Sequence, residues 1–151
     1  MADVLQSVIV AIGPVAKKRD VVITRRFDMD VPLVVTDEAA LQKIVMNLVS
    51  NAVKFSPDDG EVVVVMEPAQ DGGVGIAVLD RGPGISEADR CRIFERFAQA
   101  TEGTKGSTGG VGLGLYVSAT LAEALGAKLE VAAREGGGSI FRLCVPSEPL
   151  G

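Results

Sequence analysis

Two pairs of short apolar runs, each pair joined by a turn-forming segment, constrain the fold of this chain more than any other feature of its sequence. EVVVVME (61–67) and GIAVLD (75–80) are separated by the turn-forming PAQDGG, and KLEVAA (128–133) and SIFRLCV (139–145) are joined by REGGG. Runs of this kind with glycine-rich turns between them predict two antiparallel hairpins. A sheet built from these hairpins needs helices to cover its apolar face, so a layered fold is expected.

The segments around these hairpins have helical periodicity. Residues 37–55 predict a helix that Pro57 stops, and residues 115–127 predict a helix that ends at Gly126. SEADRCRIFERF (86–97) predicts a further helix, whose first residues include Ser and Asp at capping-box spacing.

The N-terminal residues complete the predicted architecture. Apolar residues at helical spacing predict an amphipathic first helix, which Pro14 is expected to end or kink, and VVITRRF (21–27) and LVVT (33–36) predict two more short strands. The predicted fold class is α+β, an α/β sandwich in which helices pack on one face of a mixed, mostly antiparallel sheet.

Composition excludes several classes of function. The chain has 151 residues, of which 47% are hydrophobic, which suits one globular domain. A net charge of −5 and the absence of a basic stripe argue against nucleic acid or an anionic membrane surface as a partner. The distant Cys91 and Cys144, with no histidine in the chain, favour reduced thiols in a cytoplasmic protein over a zinc site or a disulfide.

A polar ridge interrupts the apolar helix predicted for residues 37–55. Asn47, Asn51 and Lys54 lie along one line of that helix, beside its apolar stripe. An amide oxygen suits Mg²⁺ and a lysine suits a phosphate, but a solvated helix face explains the same pattern.

Two glycine clusters follow downstream. In DRGPGI (80–85), Asp80 lies at the end of a predicted strand, where its carboxylate could accept a hydrogen bond from an amine such as that of adenine. A strand followed by a Gly-Pro turn is also common in proteins that bind no ligand there. GTKGSTGGVGLGL (103–115) leads into a helix N-terminus, which suits an anion, or else forms a flexible surface loop. P-loop and Rossmann fingerprints are absent from the sequence.

Taken in order, these motifs resemble those of a known family. NLVSNAVKFSP, DRGPGI, IFERF and GGVGLGLYVS are similar to the N box, first glycine box, F box and second glycine box of the catalytic and ATP-binding domain of sensor histidine kinases. This superfamily also contains gyrase, heat-shock chaperone and MutL-type ATPases. The resemblance extends from about Asp3 to Pro146 and implies the Bergerat ATP-binding fold.

The resemblance implies a Mg-ATP site. Asn51 would coordinate the Mg²⁺ that bridges the ATP phosphates, with Asn47 next to it and Lys54 near the phosphates. Phe55 would pack on adenine, and Asp80 would bind the adenine amino group.

Other positions are assigned to the same site by the resemblance. Ser139 would place a hydroxyl near adenine or have a purely structural role, and Phe94 and Phe97 would pack a glycine-rich lid. Lys105 would approach the γ-phosphate, and Val111 stands where the family often has Thr or Ser. The remaining positions shape the base pocket (Gly82, Gly84, Ile85), bring backbone N–H groups to the phosphates (Gly110, Gly112, Gly114) or anchor the helix after the lid (Leu113, Leu115).

The resemblance also favours phosphoryl transfer over hydrolysis. Asn47 stands where gyrase-type ATPases have a glutamate, and an amide cannot act as a general base. The acceptor histidine would lie on an upstream dimerisation domain, joined through residues 1–20, and a response regulator receiver domain would act downstream. The chain would then be a single domain with a tail at 147–151, monomeric on its own and cytoplasmic.

Two alternatives stay open on the sequence. Val111 and a lid with Lys105 as its one basic residue fit a degenerate pseudokinase that serves as a scaffold. An anti-sigma-type serine kinase would share the ATP site but usually lacks the phenylalanine box.

Overall fold

Three longer helices and five strands make up the protein in a computed structural model that describes residues 1–70, 72–90, 92–95 and 113–147. The elements in chain order are α1 (Ala2–Lys18), β1 (Val22–Phe27), α2 (Glu38–Phe55), β2 (Glu61–Pro68), β3 (Val74–Leu79), the short α3 (Glu87–Arg90), α4 (Leu113–Ala124), β4 (Lys128–Ala133) and β5 (Ser139–Val145).

The five strands form one mixed sheet in the order β1-β2-β3-β5-β4. β1 pairs with β2 in parallel, and the other neighbours are antiparallel. Both predicted hairpins, β2–β3 and β4–β5, are therefore confirmed, and so is the α+β fold class. Because β5 lies between β3 and β4, the start of β5 comes next to the end of β3, where Leu79 pairs with Ile140.

The core lies between the sheet and one layer of helices. α2 contacts α1 on one side and α4 on the other, and it packs on the central strands β2 and β3. Alternate residues of the strands face this layer, as the pleat of a strand requires. The largest fully buried side chains come from α1, α2 and the central strands: Leu5, Leu41, Ile44, Leu48, Met66, Ile76 and Leu143.

The strand predicted at residues 33–36 does not form. β1 pairs with β2 from Val22↔Glu61 to Phe27↔Met66, and in the described part of the chain no strand pairs with the outer edge of β1. Residues 33–36 instead follow an irregular path on which Leu33 and Val35 are 98% and 77% exposed.

Two helix predictions also need correction. α1 continues through Pro14 to Lys18, since Ala16 beyond the proline is buried in the core. The helix predicted for residues 86–97 is limited to Glu87–Arg90 and followed by a turn at 92–94. Phe94 packs there against Phe141 in an edge-to-face contact with ring centroids 6.2 Å apart, and this contact draws the turn onto the sheet. Cys91 and residues 96–97 lie outside the described residues.

Candidate functional site

The polar ridge of α2 lies at the edge of the core. Asp37 caps the helix, its Oδ1 accepting hydrogen bonds from the N–H groups of Ala39 and Ala40 at 3.0 and 3.2 Å. The neighbouring apolar stripe is fully buried, whereas Asn47, Asn51 and Lys54 are half-buried and therefore reach both the core edge and solvent. Their alignment on one ridge is as predicted.

The side chain of Asn47 points toward α4. Its Nδ2 donates hydrogen bonds to the carbonyl oxygen of Gly114 at 3.2 Å and to the hydroxyl of Ser118 at 3.0 Å. A Cβ on Gly114 would lie 3.9 Å from the Asn47 amide, so the first turn of α4 runs close to α2. The sequence did not predict this link between the two helices.

Asn51 and Lys54 are not held in the same way. Among the residues that the structure describes, none forms a hydrogen bond or ion pair with either side chain. The Lys54 ammonium lies 5.5 Å from the centroid of the Phe55 ring, a cation–π contact. Both polar heads thus remain available to a ligand.

Asp80 is buried at the end of β3, with 5% of its surface exposed. Its Oδ1 accepts hydrogen bonds from the backbone N–H groups of Gly82 at 2.9 Å and Ser139 at 3.3 Å. Burial raises the pKa of the Asp80 carboxyl above its ordinary value, although the two hydrogen bonds and the positive charge of Arg134 oppose the increase.

The second oxygen of this carboxylate is open. No described residue donates to Asp80 Oδ2. Within the described part of the chain, the buried polar side-chain atoms that lack a partner are Thr36 Oγ1 and Arg134 Nη1, so Asp80 Oδ2 is in reach of solvent. A buried carboxylate with one fixed oxygen and one open oxygen is suited to accept a hydrogen bond from a ligand.

Glycines bring the loop after Asp80 against α2. A Cβ on Gly82 would lie 2.6 Å from the carbonyl oxygen of Phe55, so only glycine allows this approach. Gly84 has φ +78° and passes close to the backbone of Gly138. The structure therefore brings together the predicted residues Phe55, Asp80 and Gly82, while Ile85 is half-buried against the core.

The turn between β4 and β5 forms another wall beside Asp80. Arg81 Nη1 donates to the carbonyl oxygens of Glu135 at 2.7 Å and Gly137 at 2.9 Å. Gly138 has φ +104°, and a Cβ there would overlap the carbonyl oxygen of Asp80. Sequence reasoning missed this wall, although three consecutive glycines in REGGG were a signal for a close backbone approach.

The second glycine cluster is described in part. Lys105, Gly110, Val111, Gly112 and Phe97 lie outside the described residues. Leu113 is the first residue of α4, and Leu115 packs against the core as expected of an anchor. At Ser139, the backbone N–H donates a hydrogen bond to Asp80, which is a structural contact, while a hydroxyl near adenine stays a prediction.

The fold and the site define an α/β sandwich of the Bergerat type, with a polar ridge on one helix and a buried carboxylate at the end of a strand. Residues 36–149 match the histidine kinase-, DNA gyrase B-, and HSP90-like ATPase family, and the chain belongs to that family. The predicted resemblance to the catalytic domains of histidine kinases is confirmed.

Individual relatives agree with this assignment. The chain is 33% identical over 146 residues to the adaptive-response sensory kinase SasA of Prochlorococcus marinus, covering 97% of this chain and 38% of that protein. It is 38% identical over 116 residues to the sensor-like histidine kinase SenX3 of Mycolicibacterium smegmatis, covering 77% and 30%.

A solved structure agrees as well. The crystal structure of full-length ShkA in complex with AMPPNP matches with a TM-score of 0.83 and 31% identity, over 99% of this chain and 30% of that one. The chain thus spans 30% to 38% of the length of these three proteins. None of the helices in the described ranges has the length and apolarity needed to cross a membrane.

Proposed function

We propose that this domain binds Mg-ATP and presents the γ-phosphate to a histidine on a separate dimerisation domain, from which a response regulator receiver domain takes the phosphoryl group. The observation that carries the proposal is the Asp80 carboxylate. It is buried, its Oδ1 is fixed by two backbone N–H groups, and its Oδ2 is open.

At the base end of the site, the exocyclic amine of adenine would donate a hydrogen bond to Asp80 Oδ2. The glycine at position 82 lets the loop after Asp80 approach the Phe55 carbonyl, and Gly84 passes close to Gly138, so Asp80 and Phe55 border the same loop. Ser139 serves by holding the carboxylate through its N–H. Discrimination for adenine would follow, since guanine carries a carbonyl oxygen where adenine carries the amine.

At the phosphate end, the ridge of α2 fits a magnesium-bound triphosphate. Asn51 offers a neutral amide oxygen that no described residue occupies, and Mg²⁺ is commonly held by a few protein oxygens together with substrate phosphates. Lys54 lies one turn further along and would contribute a positive charge near the phosphates. When bound, the metal ion would neutralise the charge that develops on the phosphates during transfer.

The domain would position the ATP phosphates and neutralise their charge, because phosphoryl transfer requires little covalent chemistry from the protein. Asn47 cannot act as a general base, and the chain contains no histidine, so the nucleophile must come from the partner domain. We therefore expect ATP binding without histidine phosphorylation in the isolated chain, which we expect to be monomeric.

The first test is calorimetric titration of the purified chain with ATP, with and without Mg²⁺, beside Asp80→Ala and Asn51→Ala. Asp80→Ala should lose binding under both conditions, whereas Asn51→Ala should lose the part that depends on Mg²⁺. Asp58→Ala, an exposed change outside the site, is the control. A folded parent chain that binds no ATP would overturn the proposal and favour the scaffold interpretation.

The second test is transfer from radiolabelled ATP to an added histidine-bearing dimerisation domain. Acid-labile, base-stable phosphate on the added domain would support histidine kinase activity. ATP binding without transfer to any domain tried would favour the pseudokinase, and acid-stable phosphate on a serine would favour a serine kinase.

A further inference from the structure

The link between α2 and α4 is the feature of this site that the family assignment leaves unexplained. Ser118 is fully buried on α4, and its hydroxyl accepts a hydrogen bond from Asn47 Nδ2 at 3.0 Å. The same Nδ2 donates to the carbonyl oxygen of Gly114 at 3.2 Å. Both hydrogens of one amide group are thus directed to two successive turns of the neighbouring helix.

We propose that Asn47 and Ser118 are positioning residues that fix the start of α4 against α2 and thereby set the phosphate end of the nucleotide site. The inference rests on the proposed function above, because it concerns binding of Mg-ATP. It assigns a part in nucleotide binding to Ser118, the last residue of GGVGLGLYVS, to which the resemblance gave no role. It makes Asn47 a residue that acts through α4 rather than on the ligand.

The position of the link in the chain supports this role. Asn51 and Lys54 follow Asn47 on α2 by one and two turns, and the glycine-rich residues 103–112 run directly into α4. The link therefore joins the two elements that the phosphates would touch. A Cβ on Gly114 would meet the Asn47 amide at 3.9 Å, an ordinary van der Waals contact, so the approach of the two helices does not depend on glycine at this position.

The energetics favour a specific geometry over a loose contact. A buried hydroxyl that loses its partner costs free energy, so Ser118 holds Asn47 in one orientation. α4 otherwise packs through small and aliphatic side chains, such as Ala122 and Leu121, which permit sliding more readily than a hydrogen bond does. The amide therefore supplies the directional contact between these helices.

The test is a double-mutant cycle on Mg-ATP affinity with Asn47→Ala, Ser118→Ala and the combined variant. Ser118→Ala should weaken binding by about 2- to 10-fold, the range for one net hydrogen bond. The combined variant should be no weaker than Asn47→Ala alone, because both changes remove one contact. Additive effects, or unchanged affinity in Ser118→Ala, would overturn the inference.

Three further variants separate positioning from direct binding and from general stability. Asn47→Asp cannot donate to Gly114, so it should weaken binding as Asn47→Ala does. If residue 47 were instead a direct magnesium ligand, the aspartate variant would keep or strengthen the dependence of ATP binding on Mg²⁺. Thr120→Ala removes a hydroxyl of α4 that bonds within the helix, to the carbonyl of Tyr116, and should bind normally. Val74→Ala destabilises the core at the far end of β3 and should lower the melting temperature without changing affinity.

Hydrogen exchange of the α4 amides distinguishes failure of this inference from failure of the proposed function. Asn47→Ala and Ser118→Ala should both speed exchange in the first turns of α4, and Thr120→Ala should not. If the parent binds Mg-ATP and these variants bind equally well, the positioning role of Asn47 and Ser118 is refuted and the proposed function is unaffected. If the parent binds no Mg-ATP, the proposed function falls and the nucleotide role of the link falls with it, whatever the exchange rates.

Discussion

Asp80 and Ser139 meet across the ends of two neighbouring strands, and each contributes a donor to the other. The Asp80 N–H donates to the Ser139 carbonyl oxygen at 3.0 Å, and the Ser139 N–H donates to the Asp80 side chain at 3.3 Å. Asp80 Oδ1 thus accepts the hydrogen bond that the Asp80 backbone carbonyl would accept if the regular pairing of β3 with β5 continued. The orientation of the carboxylate is set by the sheet itself.

Asp80→Asn is expected to stabilise the fold near pH 7 while weakening ATP binding. The folded state holds the Asp80 proton more tightly than the unfolded state because burial raises the pKa of this carboxyl. The parent therefore loses folding stability as the pH rises from the ordinary pKa of 3.8 through the raised pKa of the folded state, because the buried carboxyl must then give up its proton. An asparagine keeps the oxygen that Gly82 and Ser139 contact but places an N–H₂ where Oδ2 lies.

Thermal melts across pH check the first half of this prediction. Asp80→Asn should melt above the parent at pH 7, and the difference should vanish at a pH below 3.8, where both states of the parent are protonated. ATP affinity should fall about tenfold or more, the range for a hydrogen bond to a charged group. A parent that is as stable as the variant at pH 7 would contradict the assigned cost of burial.

Gly138→Ala is expected to be much more destabilising than Gly137→Ala. Both residues have positive φ, +104° and +108°, so both substitutions carry backbone strain of about 1–3 kcal/mol. A Cβ on Gly138 would overlap the Asp80 carbonyl oxygen, whereas one on Gly137 would meet no atom within 4 Å. Denaturant unfolding measures the unfolding free energy of both variants, and the difference between them reports the effect of the overlap. Equal losses of unfolding free energy would contradict the prediction.

Arg81→Ala is expected to loosen the β4–β5 turn and reduce ATP affinity. The change removes two hydrogen bonds, to Glu135 and Gly137, from the turn that packs beside Asp80. We expect faster amide exchange in residues 134–138 and affinity lowered by about 2- to 10-fold. Arg142→Ala is the matched control, because Arg142 lies on the sheet with a long 3.9 Å ion pair to Glu67, and it should leave affinity unchanged.

Asp37→Ala is expected to lower the unfolding free energy by about 1 kcal/mol, the usual effect of losing an N-cap. Its Oδ1 holds the N–H groups of Ala39 and Ala40 at the start of α2. Urea unfolding of this variant beside Asp58→Ala, an exposed aspartate in the turn after α2, measures the difference. Equal midpoints for the two variants would show that the cap contributes nothing.

The sequence predicted the two hairpins of the sheet and the position of Asp80 at the end of a strand, because both leave local signals. Runs of β-branched residues and adjacent glycines were sufficient to place β2, β3 and Asp80. The failed strand at 33–36 shows the limit of such signals, since its apolar residues suited a strand but Leu33 and Val35 are exposed and add nothing to the core.

The contacts between helices could not be predicted from local patterns. The Asn47 and Ser118 side chains are 71 residues apart in the chain, and each alone fits an ordinary helix. The Arg81 contact with the turn after β4 spans 54 residues and is equally invisible in the sequence. Such pairs depend on how the helices and hairpins dock, which periodicity does not specify.

The order of the strands has a consequence for synthesis on the ribosome. β5 is the last of the five strands in the described residues, yet it lies inside the sheet, between β3 and β4. Until residues 139–145 have emerged, β3 has an unpaired edge and Asp80 lacks one of its two backbone donors. A nascent chain stalled before residue 139 therefore cannot fix the Asp80 carboxylate, and under the proposed function it would bind ATP only after residues 139–145 have emerged.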